Sequence, residues 1–139
     1  MIESRGHKIE GIESFPIIVS DDIESISKSS EIVKVLESLK LTQDTDRLES
    51  RKSRSGQSRL RGRSKKVGKS VLFVTKEDKE MSKAIGALPG VEVKSVKDLS
   101  VLDLAPGSHP IRLTVYSKSA IEEIAKIKST HLEVMVKSQ

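Results

Sequence analysis

The sequence predicts an α/β fold in three layers, α/β/α, with a mostly parallel four-stranded sheet and a long basic loop. Short apolar runs alternate with amphipathic helical patterns along the chain, as in folds built on a parallel sheet. A length of 139 residues with 35% hydrophobic residues suits one modest core, which predicts a single domain over residues 1–139. Residues 42–69 break the alternation and are predicted to be an inserted polar and basic loop.

The first strand and helix are predicted within residues 15–39. Residues 15–20 form a continuous apolar run, typical of a strand buried in a parallel sheet, and Asp21 and Asp22 then give a helix-start signal. Glu31 lies in the first turn of the main predicted helix, where a negative charge interacts favourably with the helix dipole. The apolar stripe of this helical region repeats at spacings of three and four and consists of Ile23, Ile26, Ile32, Val33, Leu36 and Leu39.

The predicted loop has two parts. Residues 42–48 are polar, and residues 51–69, "RKSRSGQSRLRGRSKKVGK", contain two apolar side chains in 19 residues. We call residues 51–69 the basic segment. Because it cannot bury a core, its composition predicts a loop that is mobile until it meets its partner.

The alternation resumes after the basic segment. Pro89 and Gly90 end the second predicted helix, and either Ser117 or Ser119 is expected to cap the last one. The predicted elements are a strand at 71–74, a helix at 81–88, an edge strand at 91–96, a short helix or turn at 97–104, a rigid loop at 105–110, a strand at 113–116, a helix at 120–127 and a β-prone tail at 132–136.

Charge is distributed unevenly along the chain. The basic segment holds nine of the 25 Lys and Arg residues and none of the 20 Asp and Glu residues, so the rest of the chain is mildly acidic. A cationic run without an interspersed acid repels itself and predicts a polyanionic partner. Aromatic residues make up 2% of the chain, which argues against a reader that stacks bases and favours contacts to a phosphate backbone.

Several classes of site are excluded or disfavoured. The stretch "GRSKKVGKS" at 62–70 has five residues between its glycines where a nucleotide phosphate loop needs four, and a strand follows it instead of a helix. The chain has no cysteine, and its histidines, at 7, 109 and 131, lack metal-ligand spacing, so neither a metal nor a cofactor is predicted. No apolar run has the length that a bilayer requires, which predicts a cytoplasmic protein without membrane contact.

Two other functions stay open at this point. Asp21 and Asp22 at the end of the first strand would suit a receiver-like or phosphoryl-transfer domain, although two acids opening a helix are also favoured by its dipole. A protein–protein module is the other alternative, with the tail at 132–136 adding a strand to a neighbour.

Three strings in the sequence closely resemble one family. "RGHKIEGIESFPIIVSDD", "RSGQSRLRGR" and "DLAPGSHPIRLTVY" resemble the archaeal and eukaryotic type of large-subunit ribosomal protein four, in the order and spacing of that family. The resemblance covers nearly all of this chain and corresponds to the carboxyl-terminal portion of the family. Similar proteins carry an amino-terminal half, with a long loop that reaches the nascent-peptide tunnel, and this chain begins after the corresponding point, so no tunnel role is carried over.

The resemblance implies a structural, non-enzymatic protein of the ribosome, without catalytic residues. The implied partners are large-subunit rRNA and neighbouring ribosomal proteins, and an amino-terminal half on another chain is a further candidate. From the charge pattern and the resemblance together, the candidate RNA-binding residues are Arg51, Lys52, Arg54, Arg59, Arg61, Gly62, Arg63, Lys65, Lys66 and Lys69 in the basic segment, with Arg5, His7, Lys8, His109 and Arg112 outside it.

Overall fold

The computed structural model describes residues 2–3, 6–9, 11–12, 14–49 and 53–127, without the side chains of residues 49 and 79. Short 3-10 turns at Asp21–Ser25, Val96–Asp98 and Pro106–Ser108 connect the longer elements. In chain order these are β1 (Ile17–Val19), α1 (Ser29–Ser38), α2 (Thr42–Glu49), α3 (Gln57–Leu60), β2 (Leu72–Thr75), α4 (Lys79–Ile85), β3 (Glu92–Ser95), α5 (Val101–Leu104), β4 (Thr114–Ser117) and α6 (Lys118–Lys126).

The sheet has four strands in the order β1-β4-β2-β3, and every pairing is parallel. Phe73 of β2 lies opposite Val115 of β4 and Val93 of β3, while Ile17 of β1 lies opposite Val115 on the other side. All residues of β2 are buried because this strand is central and covered on both faces. The prediction of a mostly parallel four-stranded sheet is confirmed.

Helices cover both faces of the sheet, as predicted. Phe73 and Val115 face one layer, where α1 and α4 contribute Ile32 and Met81 to the larger apolar cluster. Leu72 and Val74 face the opposite layer, where they pack with residues such as Ala120 of α6. The strict alternation of Leu72, Phe73 and Val74 between two clusters follows from the two-residue period of a strand.

The helix boundaries follow local signals in the sequence. Ser117, and not Ser119, caps α6, because its side chain accepts a hydrogen bond from the Ala120 N–H at 3.2 Å. Asp21 and Asp22 open a 3-10 turn, and α1 begins later at Ser29. No helix in the described part of the chain combines the length and apolar character that crossing a bilayer requires.

The loop predicted at 42–69 differs from the structure over its first part, where α2 forms a packed helix. Leu41, directly before α2, and Asp44 and Leu48 within it are buried, at spacings of three and four. This pattern was not predicted from the sequence because its middle residue, Asp44, is a carboxylate. A carboxylate is buried only when it is paired. Residues 53–69 contain only the four-residue α3 and an isolated antiparallel bridge between Ser53 and Lys65. The predicted tail at 132–136 lies outside the described residues.

Candidate nucleic-acid interface

The described part of the basic segment folds back on itself. The backbone N–H of Arg54 donates to the Ser64 carbonyl at 2.8 Å beside the Ser53–Lys65 bridge, and α3 lies at the far end of this excursion. Gly62 follows α3 with a φ of 76°, a conformation that residues with a Cβ rarely adopt, and open space surrounds it. The chain therefore reverses direction at Gly62, close to the basic side chains of this segment.

The cationic side chains of this excursion point into solvent. Arg54 is half-buried, and the exposed predicted contacts are Arg59, Arg61, Arg63, Lys65, Lys66 and Lys69. Five of these lie between residues 59 and 66, a stretch that contains no acidic residue. The result is a concentrated positive surface, which attracts a polyanion and is screened by salt. The predicted contacts Arg51, Lys52 and Arg5 lie outside the described residues.

His7 lies in the interior instead of on an open surface. Its side chain is 1% exposed, and Nδ1 lies 3.0 Å from Oδ2 of the buried Asp44 of α2. The same carboxylate accepts from Ser70 Oγ at 2.5 Å, from the Lys8 backbone N–H at 3.2 Å and from Arg47 Nε at 3.1 Å. This Asp44 cluster ties the amino-terminal segment to α2 and to the chain before β2. His7, which the sequence predicted as an RNA contact, is therefore buried, and it anchors the segment that carries the exposed Lys8.

The pKa of Asp44 reflects this surrounding. Burial alone would raise it, but hydrogen bonds from His7 and Ser70 and the nearby positive charge of Arg47 outweigh burial and lower the pKa from 3.8 to about 2. Asp44 is therefore a carboxylate at neutral pH, and it can only accept hydrogen bonds. The proton between the two groups consequently sits on His7 Nδ1, which donates to Asp44.

Acid is expected to weaken the fold through this cluster. Since the folded-state pKa of Asp44 is depressed, its contribution is complete above about pH 4 and is lost as the pH falls toward 2, which removes about 2 kcal/mol from the free energy of unfolding. Urea unfolding at a series of pH values measures this loss. Asp44→Asn should reduce the pH dependence in that window, whereas Asp46→Asn, at an exposed position of α2, should retain it. Equal pH profiles for the two variants would contradict the role of Asp44.

Arg112, which the sequence predicted as an RNA contact, is buried, with a side chain that is 0% exposed. Its Nε donates to the Ser70 carbonyl at 2.7 Å, Nη2 donates to the Gly90 carbonyl at 3.2 Å, and Nη1 donates to Glu92 Oε2 at 2.6 Å. These groups lie where β2, β3 and β4 begin. The guanidinium therefore joins the amino-terminal ends of three neighbouring strands, and a sequence cannot distinguish such a buried arginine from an exposed one.

Glu92 connects this network to the basic segment. Burial raises the pKa of Glu92, but the hydrogen bonds from Lys69 and Arg112 and their positive charges outweigh burial, and the pKa is lowered. Lys69 Nζ forms an ion pair with the same carboxylate that Arg112 contacts. The carboxyl end of the basic segment is thereby fixed to the sheet beside the buried arginine.

A cleft lies next to this connection, at the amino-terminal edge of the sheet. It has a volume of about 350 Å³ and contains three of the predicted contact residues, which come from distant parts of the sequence. We call it the amino-edge cleft, and its lining includes His7, Arg47, Val67, Lys69, Pro106 and His109. The sequence predicted His7, Lys69 and His109 separately, and the fold brings them together.

Asp21 and Asp22 lie at the opposite, carboxyl-terminal edge and have local structural roles. Asp21 Oδ1 accepts from the Ser119 N–H at 2.8 Å in the first turn of α6, and this hydrogen bond is the main cause of its lowered pKa. Asp22 accepts from Ser20 Oγ at 3.1 Å. Both carboxylates therefore bind their own loop and the start of a neighbouring helix, where a negative charge is favoured by the helix dipole.

Glu24 occupies the region where many α/β proteins bind a ligand. Such ligands sit outside the carboxyl ends of the strands. Here Glu24 Oε1 accepts from Ser117 Oγ at 2.7 Å and from the Lys76 N–H at 2.9 Å. The described residues contain no group of three His, Cys, Asp or Glu side chains arranged to hold a metal ion. The geometry thus gives no support to phosphoryl transfer at Asp21 and Asp22.

Changing both aspartates to asparagine should leave RNA binding unchanged within about twofold, because surface substitutions remote from a site have small effects. A modest decrease in the thermal midpoint is expected from the weakened contact to α6. Filter binding with large-subunit rRNA, together with thermal unfolding, measures both. A loss of RNA binding by a folded double variant would show that this edge participates after all.

Comparison with known proteins decides the family. The sequence pattern described as "Ribosomal protein L4/L1 family" matches residues 7–127. The chain belongs to this family. The L4/L1 match includes the described part of the basic segment and every strand of the sheet.

Curated relatives in the L4/L1 family are archaeal proteins named "Large ribosomal subunit protein uL4". The protein from Sulfurisphaera tokodaii is 46% identical over 127 residues, which is 90% of this chain and 47% of the relative. Those from Haloquadratum walsbyi and Methanococcus aeolicus are 45% and 44% identical over 89% and 91% of this chain, and over 50% of each relative. The chain thus spans about half the length of these relatives. They are named as ribosomal proteins and not as enzymes, in agreement with the predicted absence of catalytic activity.

Proposed function

We propose that this chain is a structural component of the large ribosomal subunit and binds rRNA through the basic segment. Family membership supports the ribosomal assignment, and with it a cytoplasmic location. The observation that carries the RNA-binding part is the exposed run of Arg59, Arg61, Arg63, Lys65 and Lys66, which no carboxylate interrupts.

The chemistry of these side chains fits a folded RNA backbone. Each arginine presents a planar fork of donors that matches phosphate oxygens, and each lysine supplies a mobile positive charge. Phe73 and Tyr116 lie within the sheet, and the exposed Phe15 precedes β1, so the basic segment itself carries no aromatic platform on which bases could stack. Recognition is therefore expected to depend on the arrangement of phosphates more than on base identity.

The relatives' names point to further partners. Neighbouring ribosomal proteins are proposed as contacts of this chain within the subunit, and a separate amino-terminal half is proposed as another. Val101 and Leu102 of α5, each 78% exposed, are apolar residues available for such a protein contact.

A salt titration tests RNA binding through the basic segment. The full chain and a variant lacking residues 51–69 are compared on large-subunit rRNA and on an unrelated RNA of the same length. If about six cations meet phosphates, the log-log dependence of affinity on salt should have a slope of about −4 to −5. Tight binding that prefers rRNA and disappears with the deletion supports the proposal. Equal, weak binding to both RNAs, or binding that salt does not affect, contradicts it.

A further inference from the structure

A pocket lies between α1 and α2, in the layer of helices that covers the Phe73 face of the sheet. Its volume is about 420 Å³, which falls within the range of sites that take a small ligand or a few side chains of a peptide. We call it the α1–α2 pocket, and its described lining consists of Val33, Leu36, Glu37, Thr42, Thr45, Asp46, Leu88 and Pro89.

The apolar wall of this pocket is partly open to solvent. Leu36 is buried, whereas Val33, Leu88 and Pro89 are only half-buried. Leu88 packs against the larger apolar cluster, and Val33 is not among the described members of that cluster. Together these side chains leave apolar surface that a partner can cover.

The charged groups of the α1–α2 pocket are both carboxylates. Glu37 and Asp46 are exposed, and neither forms an ion pair within the described part of the chain. The described lining contains no Lys, Arg or His. Glu37 also lies in the last turn of α1, which has no basic residue, and the carboxyl end of a helix adds a partial negative charge. The pocket is therefore negative in a chain whose net charge is +5, and it favours a cation.

Helix α2 separates this pocket from the cationic surface. Asp46 lines the α1–α2 pocket, and the next residue, Arg47, lines the amino-edge cleft. Successive residues of a helix point about 100° apart, so one helix presents opposite charges to two surfaces. A phosphate polymer is favoured on the cationic side and repelled by the two carboxylates, whereas a cationic ligand has the opposite preference.

We propose that the α1–α2 pocket binds a short cationic segment of another protein, in which apolar side chains are flanked by Lys or Arg. The apolar side chains cover Val33 and Leu88, and the cationic groups pair with Glu37 and Asp46. Lysine and arginine suit this position because their aliphatic stems lie along apolar surface while their charges stay hydrated. This contact goes beyond the proposed RNA binding and does not require it.

Short labelled peptides test the chemistry of the partner. The full chain is titrated with a peptide containing Arg-Leu-Leu-Arg, with one containing Arg-Ser-Ser-Arg, which lacks the apolar side chains, and with one containing Glu-Leu-Leu-Glu, which reverses the charge. Fluorescence anisotropy should show the tightest binding for Arg-Leu-Leu-Arg, and added salt should weaken it because exposed charges are screened. Equal binding of either other peptide, or no binding by any of them, would overturn the proposal.

Matched variants locate the binding site. Glu37→Gln with Asp46→Asn removes both carboxylates of the pocket, and Glu77→Gln with Glu122→Gln removes the same charge from exposed positions after β2 and on α6. The first pair should weaken binding of the Arg-Leu-Leu-Arg peptide by at least about fivefold, and the second should leave it nearly unchanged. Equal losses would mean that the peptide responds only to net charge, which overturns the pocket as the site.

The apolar wall has a matched pair of its own. Val33→Lys places a cation beside the two carboxylates and should weaken peptide binding by about tenfold or more, through repulsion and loss of apolar surface. Val101→Lys makes the same change at an exposed apolar residue of α5 and should have little effect. Similar losses in the two variants would contradict the pocket. Urea unfolding of each variant identifies any loss that arises from a damaged fold.

Methyl nuclear magnetic resonance places the ligand directly on the unchanged chain. The Arg-Leu-Leu-Arg peptide should shift the methyl signals of Leu36 and Leu88, while those of Val101 and Leu102 stay in place. Shifts confined to α5 would overturn the pocket as the site. Spermidine, a cation without apolar side chains, is the competing occupant. Displacement of the peptide by an equal concentration of spermidine would assign the pocket to a free polyamine and overturn the protein partner.

The outcomes separate this contact from the proposed function. If the full chain binds rRNA through residues 51–69 and the cationic peptide does not bind, the pocket proposal is overturned and RNA binding stands. If the peptide binds at the α1–α2 pocket and the full chain does not bind rRNA, the proposed function fails and the pocket stands. Peptide binding lost in the Glu37 and Asp46 double variant, with rRNA binding retained by that variant, supports both.

Discussion

Replacing Arg59, Arg61 and Arg63 together by glutamine is expected to weaken rRNA binding by at least about tenfold and to reduce the salt slope by about 2 to 3. The reason is the loss of three phosphate contacts and of the counterions that each contact releases. All three side chains are exposed and lie within a stretch without carboxylates. The stability of the fold should change little, because exposed substitutions remote from packed features have small effects. Filter binding over a salt series measures the first result, and urea unfolding measures the second.

A matched triple variant provides the control. Lys76, Lys97 and Lys118 are exposed lysines near the carboxyl-terminal edge, and replacing them by glutamine removes the same net charge. If RNA responds only to the total charge of the protein, both triple variants will lose the same affinity and slope. That result would contradict a localised interface, whereas a loss confined to the arginine variant agrees with it.

Replacing Arg112 by methionine is expected to lower the free energy of unfolding by about 3 to 5 kcal/mol. Methionine preserves much of the packing volume but removes the guanidinium donors to the carbonyls of Ser70 and Gly90, and it leaves Glu92 with Lys69 as its cation. Among the described donors, the Gly90 carbonyl keeps only the Ser70 N–H. Because folded domains are stable by only about 5 to 15 kcal/mol, such a loss is a large fraction of the total. Urea unfolding monitored by circular dichroism measures it.

Lysine at position 112 distinguishes the arrangement of donors from the charge. Arg112→Lys retains a positive charge but cannot reach several acceptors at once through a planar fork. It should therefore recover less than half of the lost stability. A lysine variant as stable as the original chain would mean that charge alone suffices, and an unchanged methionine variant would contradict the structural role of Arg112 altogether.

Much of the fold could be predicted because its signals are local. The apolar run before Asp21 indicated β1, the spacing of Ile32 and Leu36 indicated α1, and residues 71–74 indicated the central strand β2. In each case neighbouring residues determine the burial pattern, so periodicity is sufficient. The order of the strands in the sheet depends on contacts between distant residues, and the periodicity of single elements does not contain it.

The differences between prediction and structure concern polar residues in the interior. They are buried there because residues distant in the sequence supply their hydrogen-bond partners. Asp44 is buried only because His7 and Ser70 surround it, and α2 was consequently predicted to be part of a loop. Arg112 is buried because strand ends supply its acceptors. A sequence shows the charge of such residues and not their partners, so both were assigned to the exterior. The exposed arginines of the basic segment were easier to predict because no nearby acid could neutralise them.

The amino-edge cleft illustrates the same distinction. Lys69 was a candidate through its place in a cationic run, and His7 and His109 through the family resemblance. Their common location depends on the Asp44 cluster and on the loop before β4, which are far apart in the sequence. Arg47 was missed because it lies in a polar stretch with acidic neighbours. Its position three residues after Asp44, a spacing at which opposite charges pair on a helix, is a sequence signal for that contact.

Ultraviolet cross-linking of the full chain to large-subunit rRNA, with mass spectrometry of the attached peptides, tests RNA binding by the basic segment most directly. Attachment is expected within residues 53–69 and beside His109 in the amino-edge cleft. Attachment concentrated around Asp21, Lys97 and α6, with residues 53–69 unmodified, would contradict it.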